Sequence, residues 1–162
     1  MKRKKKNLPP PPSLQELQDV QLAAFQPLLS AQEYEALRSE VEKPLPPAIR
    51  MNPLKTGPGF ALDLEKRYQW KLEPVPFCRD GFRVQVNGGP AVSVTLEHKT
   101  GQYYIQEAAS MLPVELFGLN PDDDSLTLDL AASPGGKTTH LISRMGDKGL
   151  VLANDSSQGR IQ

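Results

Sequence analysis

Residues 125–154 constrain the fold of this chain more than any other stretch. Two short apolar runs, 125–130 and 150–154, flank a loop that reads DLAASPGGKTTH over residues 129–140. Residues 138–145 have helical texture, and Gly146 and Gly149 mark the turn before the second run. Strand, glycine loop, helix and strand in that order open a doubly wound parallel sheet, because parallel neighbours need a crossover of a dozen or more residues. An α/β architecture is therefore predicted for this part of the chain.

The loop admits two ligand chemistries. Ala131, Gly136, Lys137 and Thr138 give a degenerate phosphate-loop match, with Ala131 where a first glycine is needed for the backbone to curl. Pro134 removes one N–H from the would-be cradle. The alternative uses more of the sequence. Asp129 ends the first strand, where a carboxylate would repel a polyphosphate but suit an ammonium group. Asp155 follows Gly135 by 20 residues, the position from which dinucleotide folds bind ribose hydroxyls. Gly135 and Gly136 let the backbone approach a ligand closely. A nucleoside with a positively charged tail fits two carboxylates better than ATP does.

The first half has a different texture. Of the 16 prolines, 13 lie at or before Pro90. Residues 1–12, a basic run followed by polyproline, are expected to be a disordered arm, either a loose phosphate contact or a solvated tail. Ser13 with Glu16 and Ser30 with Glu33 are capping-box pairs that begin two amphipathic helices, the second ended by Pro44. The first carries Leu14, Leu17, Gln21, Ala24 and Leu28 on roughly one face. Strands are expected over 48–51, 71–75, 82–86 and 92–96, with a helix over 61–68 between the first two and another over 106–117. These readings place an arm at 1–12, helices and a small α+β unit over 13–100, and the α/β part over 101–162.

Composition excludes several classes. Lys plus Arg equals Asp plus Glu at 19 each, so no global field draws in nucleic acid. No apolar run approaches the roughly 18 residues of a membrane span, and the basic start lacks the apolar stretch of a secretory signal. Cys78 is the single cysteine, which fits a reducing cytoplasm. Cys78, His98 and His140 show no metal-ligand spacing, and no metal is expected.

The segments GQYYIQEAASMLPV, LDLAASPGGKTTHL and VLANDSSQGR together resemble the RNA cytosine-5 methyltransferase family that modifies ribosomal and transfer RNA. PPAIRMNPLK, residues 46–55, resembles its upstream Arg-x-Asn-x-Leu-Lys segment. The bacterial ribosomal RNA enzymes look nearest. The resemblance implies the start of a Rossmann-like S-adenosylmethionine-dependent methyltransferase domain, preceded by a small α+β, RNA-recognition-like unit. It implies a cofactor site at Ala131, Ala132, Ser133, Pro134, Gly135, Gly136, Lys137 and Asp155, with Ser133 where alanine is usual. It makes Arg50, Asn52 and Lys55 candidates for RNA backbone contact, although solvated surface residues would look the same.

In that family the nucleophilic cysteine and a second cysteine lie downstream of the second strand, and the first adds to C6 of a flipped cytosine. Cys78 lies upstream of the cofactor loop, so it is not expected to be the nucleophile. The chain is expected to be an N-terminal fragment with no catalytic residue of its own, inactive alone, its end falling in the next helix and its sheet incompletely ordered after about residue 120. Expected partners are S-adenosyl-L-methionine and RNA, the latter ribosomal; no membrane contact is expected, and the full-length form is expected to be a monomer. A non-catalytic RNA-binding module and a phosphate-loop nucleotide-binding protein are the alternatives.

Overall fold

The computed structural model describes residues 14–146 and 148–156. The expected arm, Ser13 and residues 157–162 lie outside them. The chain forms two compact units, Met1–Leu45 and Pro46–Gln162.

In the first unit, helix α1 spans Leu14–Ala23 and helix α2 spans Ala31–Val41. Leu28, expected on the face of the first helix, lies instead in a separate 3-10 turn, Gln26–Leu28, opened by Pro27, because proline cannot continue the α-helical hydrogen-bond ladder. The second capping box forms as expected. Ser30 Oγ accepts the N–H of Glu33, and the Glu33 carboxylate accepts the N–H of Ser30 at 2.9 Å.

The second unit begins with a four-stranded antiparallel sheet. Its elements run β1 (Ala48–Met51), α3 (Phe60–Tyr68), β2 (Trp70–Val75), β3 (Cys78–Val86), α4 (Leu96–Lys99) and β4 (Tyr103–Ile105). The strand order is β2-β3-β1-β4. All four residues of β1 are buried, so this central strand is covered on both faces. Ile49 and Met51 join Leu64, Trp70, Leu72, Val84 and Tyr103 in one cluster, and Ala48 joins Val75, Cys78 and Met111 in another.

Three expectations need correcting here. Residues 92–96 are not a strand. They form a 3-10 turn, Val92–Val94, and the start of α4, where Thr95 Oγ1 accepts the N–H of His98. The Val94 and Leu96 side chains are exposed, so the alternation of apolar residues did not mark a buried face. The helix expected over 106–117 is broken: Gln106 continues the sheet by donating its N–H to Ala48 O at 3.0 Å. Glu107 then caps a 3-10 turn, Ala108–Met111, and α5 is only Leu112–Glu115. The boundary expected near residue 100 falls inside one sheet, because β4 pairs with β1. Strand β4 itself had no sequence signal strong enough to be expected.

Strand β3 begins four residues earlier than expected, after a tight turn that pairs Val75 with Cys78. Gly81 explains why a glycine sits mid-strand. A Cβ there would come within 2.7 Å of Met111 Sδ, so glycine lets the 3-10 turn pack on the sheet.

The unit ends as expected in a parallel pair, β5 (Leu126–Asp129) and β6 (Leu150–Ala153), joined through α6 (Gly136–Arg144). Helix α6 contacts β6 and α5. Leu126, Leu128, Leu150 and Leu152 remain exposed. No described helix is long and apolar enough to cross a membrane.

Candidate functional site

The glycine loop leaves β5 at Asp129 and enters α6 at Gly136. Its backbone donors are turned inward. Ala131 N–H donates to Asp129 Oδ1 at 3.2 Å, and Ala132 N–H to Asn154 O at 2.9 Å. Ser133 N–H donates to Asp155 Oδ2 at 3.2 Å, and Gly135 N–H to Ala132 O at 2.6 Å. Pro134 has no N–H to give. A phosphate nest needs successive N–H groups pointing at the ligand, and here the four from Ala131 to Gly135 are committed to the loop and to the residues that follow β6. The other Asp129 oxygen accepts from Thr138 Oγ1 at 2.6 Å, so this carboxylate ties the loop to the first turn of α6.

Gly135 takes φ +100°, and no side chain caps the helix that follows. The loop faces a cleft of about 300 Å³ lined on one side by Ala131, Ala132, Ser133, Pro134, Gly136 and Lys137. The opposite wall is Tyr104, Ile105, Gln106, Glu107 and Ser110. Tyr104 Oη donates to Pro134 O at 2.9 Å, and Gln106 Nε2 to Ser110 O at 3.1 Å. The structure thus joins seven of the eight expected cofactor-site residues at one feature: Gly135 supplies its turn and the other six line its wall. Asp155 stands behind the wall, on Ser133, rather than in the lining. The opposite wall went unassigned from sequence. Its signal was the Gln106-Glu107-Ala108 run, which marked the family without showing a role.

Of the expected RNA contacts, Arg50 is not where an RNA backbone could meet it. It is 3% exposed, because β1 is a central strand and the side chain runs under α6. Its guanidinium donates to Gln106 Oε1 at 3.0 Å, Ser143 Oγ at 3.1 Å, Thr139 Oγ1 at 2.9 Å and Gly136 O at 3.3 Å. Burial pulls it down to about 10. Asn52 is engaged with backbone at both side-chain ends, donating to Gly101 O and accepting from Leu54 N–H. Lys55 is exposed, its ammonium donating to Thr100 O at 2.9 Å.

Sequence spacing also concealed a buried cluster. Cys78, Glu115 and His140 bring one ligand-type atom each within 4.8 Å of one another. Arg144 fills this cluster as a cation: it donates to Glu115, to Asp80 Oδ2 at 2.6 Å and to Cys78 Sγ at 3.6 Å. Burial pushes the Cys78 thiol up to about 11 and His140 down to about 3.

Residues 19–108 match the family model for the N-terminal domain of the 16S rRNA methyltransferase RsmF. The chain belongs to the RsmF family. Residues 116–162 match the model for 16S rRNA methyltransferase RsmB/F, which places the glycine loop in the second matched segment. Among curated relatives, the ribosomal RNA small subunit methyltransferase F of Klebsiella pneumoniae is 44% identical over 124 residues, 75% of this chain and 26% of that protein. The enzyme of the same name from Shewanella loihica is 44% identical over 123 residues, 74% of this chain and 25% of that protein. The chain thus spans about a quarter of the length of these RsmF relatives. A crystal structure of a methyltransferase homolog protein from Pyrococcus horikoshii superposes with a TM-score of 0.74 at 33% identity, covering 85% of this chain and 43% of that one. The fold is therefore α/β, with a methyltransferase structural neighbour.

Proposed function

We propose that this chain takes part in S-adenosylmethionine-dependent methylation of C5 of a cytosine in ribosomal RNA, and that the cleft beside the glycine loop holds the cofactor. The observation that carries the reading is the inward commitment of the Ala131, Ala132, Ser133 and Gly135 N–H groups. It takes four donors away from a phosphate nest, and the cleft carries the Glu107 carboxylate in its lining with Asp155 behind Ser133, which suits a nucleoside with a cationic tail better than a polyphosphate. Its volume, about 300 Å³, is at the lower end of small-molecule sites.

In this reading β5, α6 and β6 are the start of a Rossmann-like domain. Residues Ala131 to Lys137 line the cofactor's side of the cleft, while Asp155 supports the loop and supplies the ribose-side acid. S-adenosylmethionine would supply the electrophilic methyl group. Gly136 allows close approach, and Gln106 and Tyr104 hold the opposite wall. Cys78 takes no nucleophilic part, because it is 1% exposed and burial keeps its thiol protonated.

The β-α-β-β-α-β order and the β2-β3-β1-β4 sheet support an RNA-recognition-like unit, since that order is the split βαβ pattern. Such units usually stack bases on the open face of the sheet. Here β1 is buried on both faces, so RNA would meet loops and edges, with Lys55 and Asn52 at one such loop. The protein would work as a monomer in the bacterial cytoplasm.

Calorimetry on the full-length protein tests the reading. S-adenosylmethionine should bind and ATP should not, and Asp155→Ala should weaken the cofactor by about 1.5–3 kcal/mol, as for a lost hydrogen bond to a charged group. ATP binding tighter than S-adenosylmethionine would overturn it.

A further inference from the structure

Arg50 is a cation enclosed by neutral groups. Its four hydrogen-bond acceptors are an amide oxygen, two hydroxyls and a backbone carbonyl. Among the described residues no carboxylate lies within ion-pair distance of it. Burying a charge without a paired opposite charge is costly, and an apolar side chain of similar volume commonly serves packing as well or better. What an apolar side chain lacks is a rigid fork of donors with fixed directions.

The fork is aimed at the two walls of the cleft. Nε holds Gln106 on one wall, whose own Nε2 holds Ser110 on that wall. Nη2 holds the carbonyl of Gly136 on the other wall and Thr139 one turn further along α6. Nη1 holds Ser143 a turn beyond that. The gap between the walls is narrow at this level. A Cβ on Gly136 would stand 3.4 Å from Tyr104 Cε1 and 3.6 Å from Gln106 Cδ. The two walls thus come to about side-chain contact distance at this level, and the placement of α6 against β1 sets the width of the cleft there.

We infer that Arg50 is a positioning residue for the cleft: from the buried central strand it sets the spacing between the Gln106 wall and the Gly136 end of α6, and so sets cofactor affinity without touching the cofactor. This rests on the cofactor reading of the cleft. Lysine keeps the charge but offers one compact ammonium, which cannot span Gln106 Oε1, Gly136 O and Ser143 Oγ together.

The test uses Arg50→Lys in the full-length protein. Expected are about tenfold weaker S-adenosylmethionine binding and a matching rise in KM for the cofactor, in line with the sensitivity of sites to sub-ångström misplacement. KM for RNA should stay within about twofold. Hydrogen exchange without ligand should rise at least about fivefold at the amide of Thr139, which donates to Gly135 O at the start of α6, while Ile49 and Val84 stay within about twofold, because only the wall loosens. If Arg50→Lys does not fold, Ser143→Ala, which removes one Arg50 acceptor two turns along α6 from the cleft lining, carries the same readouts with about threefold effects. Unchanged cofactor affinity in the folded variant, or exchange rising equally at Ile49 and Val84, would overturn the inference. If the unaltered protein binds no S-adenosylmethionine, the cofactor reading fails instead, and the exchange contrast alone decides Arg50's role.

Discussion

His140 shows how strongly single positions are set by their surroundings. It is fully buried in α6, with Nε2 3.0 Å from Glu115 Oε1 and Nδ1 without a hydrogen-bond partner. Desolvation, with the Arg50 charge adding to it, pulls it down from 6.5 to about 3, and Glu115 only partly opposes this. The folded state thus favours neutral imidazole, while the unfolded chain takes up a proton near pH 6.5. Stability from this residue is complete above pH 6.5 and is lost as pH falls toward 3. Glu115, held low chiefly by Arg144 against the opposing effect of burial, adds to the loss only below its ordinary value of 4.5. The decline between pH 6.5 and 4.5 therefore belongs to His140 within this cluster. Urea unfolding midpoints of His140→Gln should fall less steeply over that interval than those of the unaltered chain. Equal slopes would mean that His140 is protonated in the folded state.

Among the elements, α6 depends most on its first residues. It starts without a side-chain cap, after a glycine at φ +100°, a backbone region that L side chains enter at a cost of about 1–3 kcal/mol. A Cβ on Gly135 would touch nothing within 4 Å, so any penalty of Gly135→Ala comes from the backbone alone. Denaturant unfolding should show a loss in that range, and a change under about 0.5 kcal/mol would mean that the loop relaxes freely. The pairs Ser30 with Glu33 and Asp129 with Thr138 are short-range, and the first was legible as a capping box. The break of residues 106–117 was not legible. Ala108, Met111, Leu112 and Leu116 have helical spacing, yet Gln106 is drawn into pairing with Ala48 and Glu107 caps a new turn. Tertiary pairing overrode local periodicity there.

Across the second unit, burial is uneven. Around the antiparallel sheet, Ile49, Leu64, Val84 and Tyr103 are essentially sealed, whereas Leu128 on β5 is 58% exposed. Leu141, on the opposite side of the loop in α6, is 4% exposed. Leu141→Ala should cost about 2–5 kcal/mol, as expected for a buried large-to-small change. Leu128→Thr should stay within about 0.5 kcal/mol, as at exposed sites. Thermal or urea unfolding of the two variants distinguishes them, and a large loss for Leu128→Thr would show that the leucine face of β5 and β6 is covered in solution.

The glycine loop, its flanking acids and the strands on either side were determined by residues close in sequence, because a βαβ crossover and its turn are local. The same holds for β1, α3 and the second capping box, where apolar spacing and cap chemistry agree with the final packing. The tertiary structure alone decided what Arg50, Gln106 and Cys78 do. Arg50 lies 93 residues from Ser143 and 56 from Gln106, and Cys78 lies 66 from Arg144. A basic residue in an otherwise apolar strand reads as surface until the helix that covers it is in place. The physical reason is that burial and hydrogen-bond partnership are set by which distant segments share a volume, and periodicity along the chain carries no record of that.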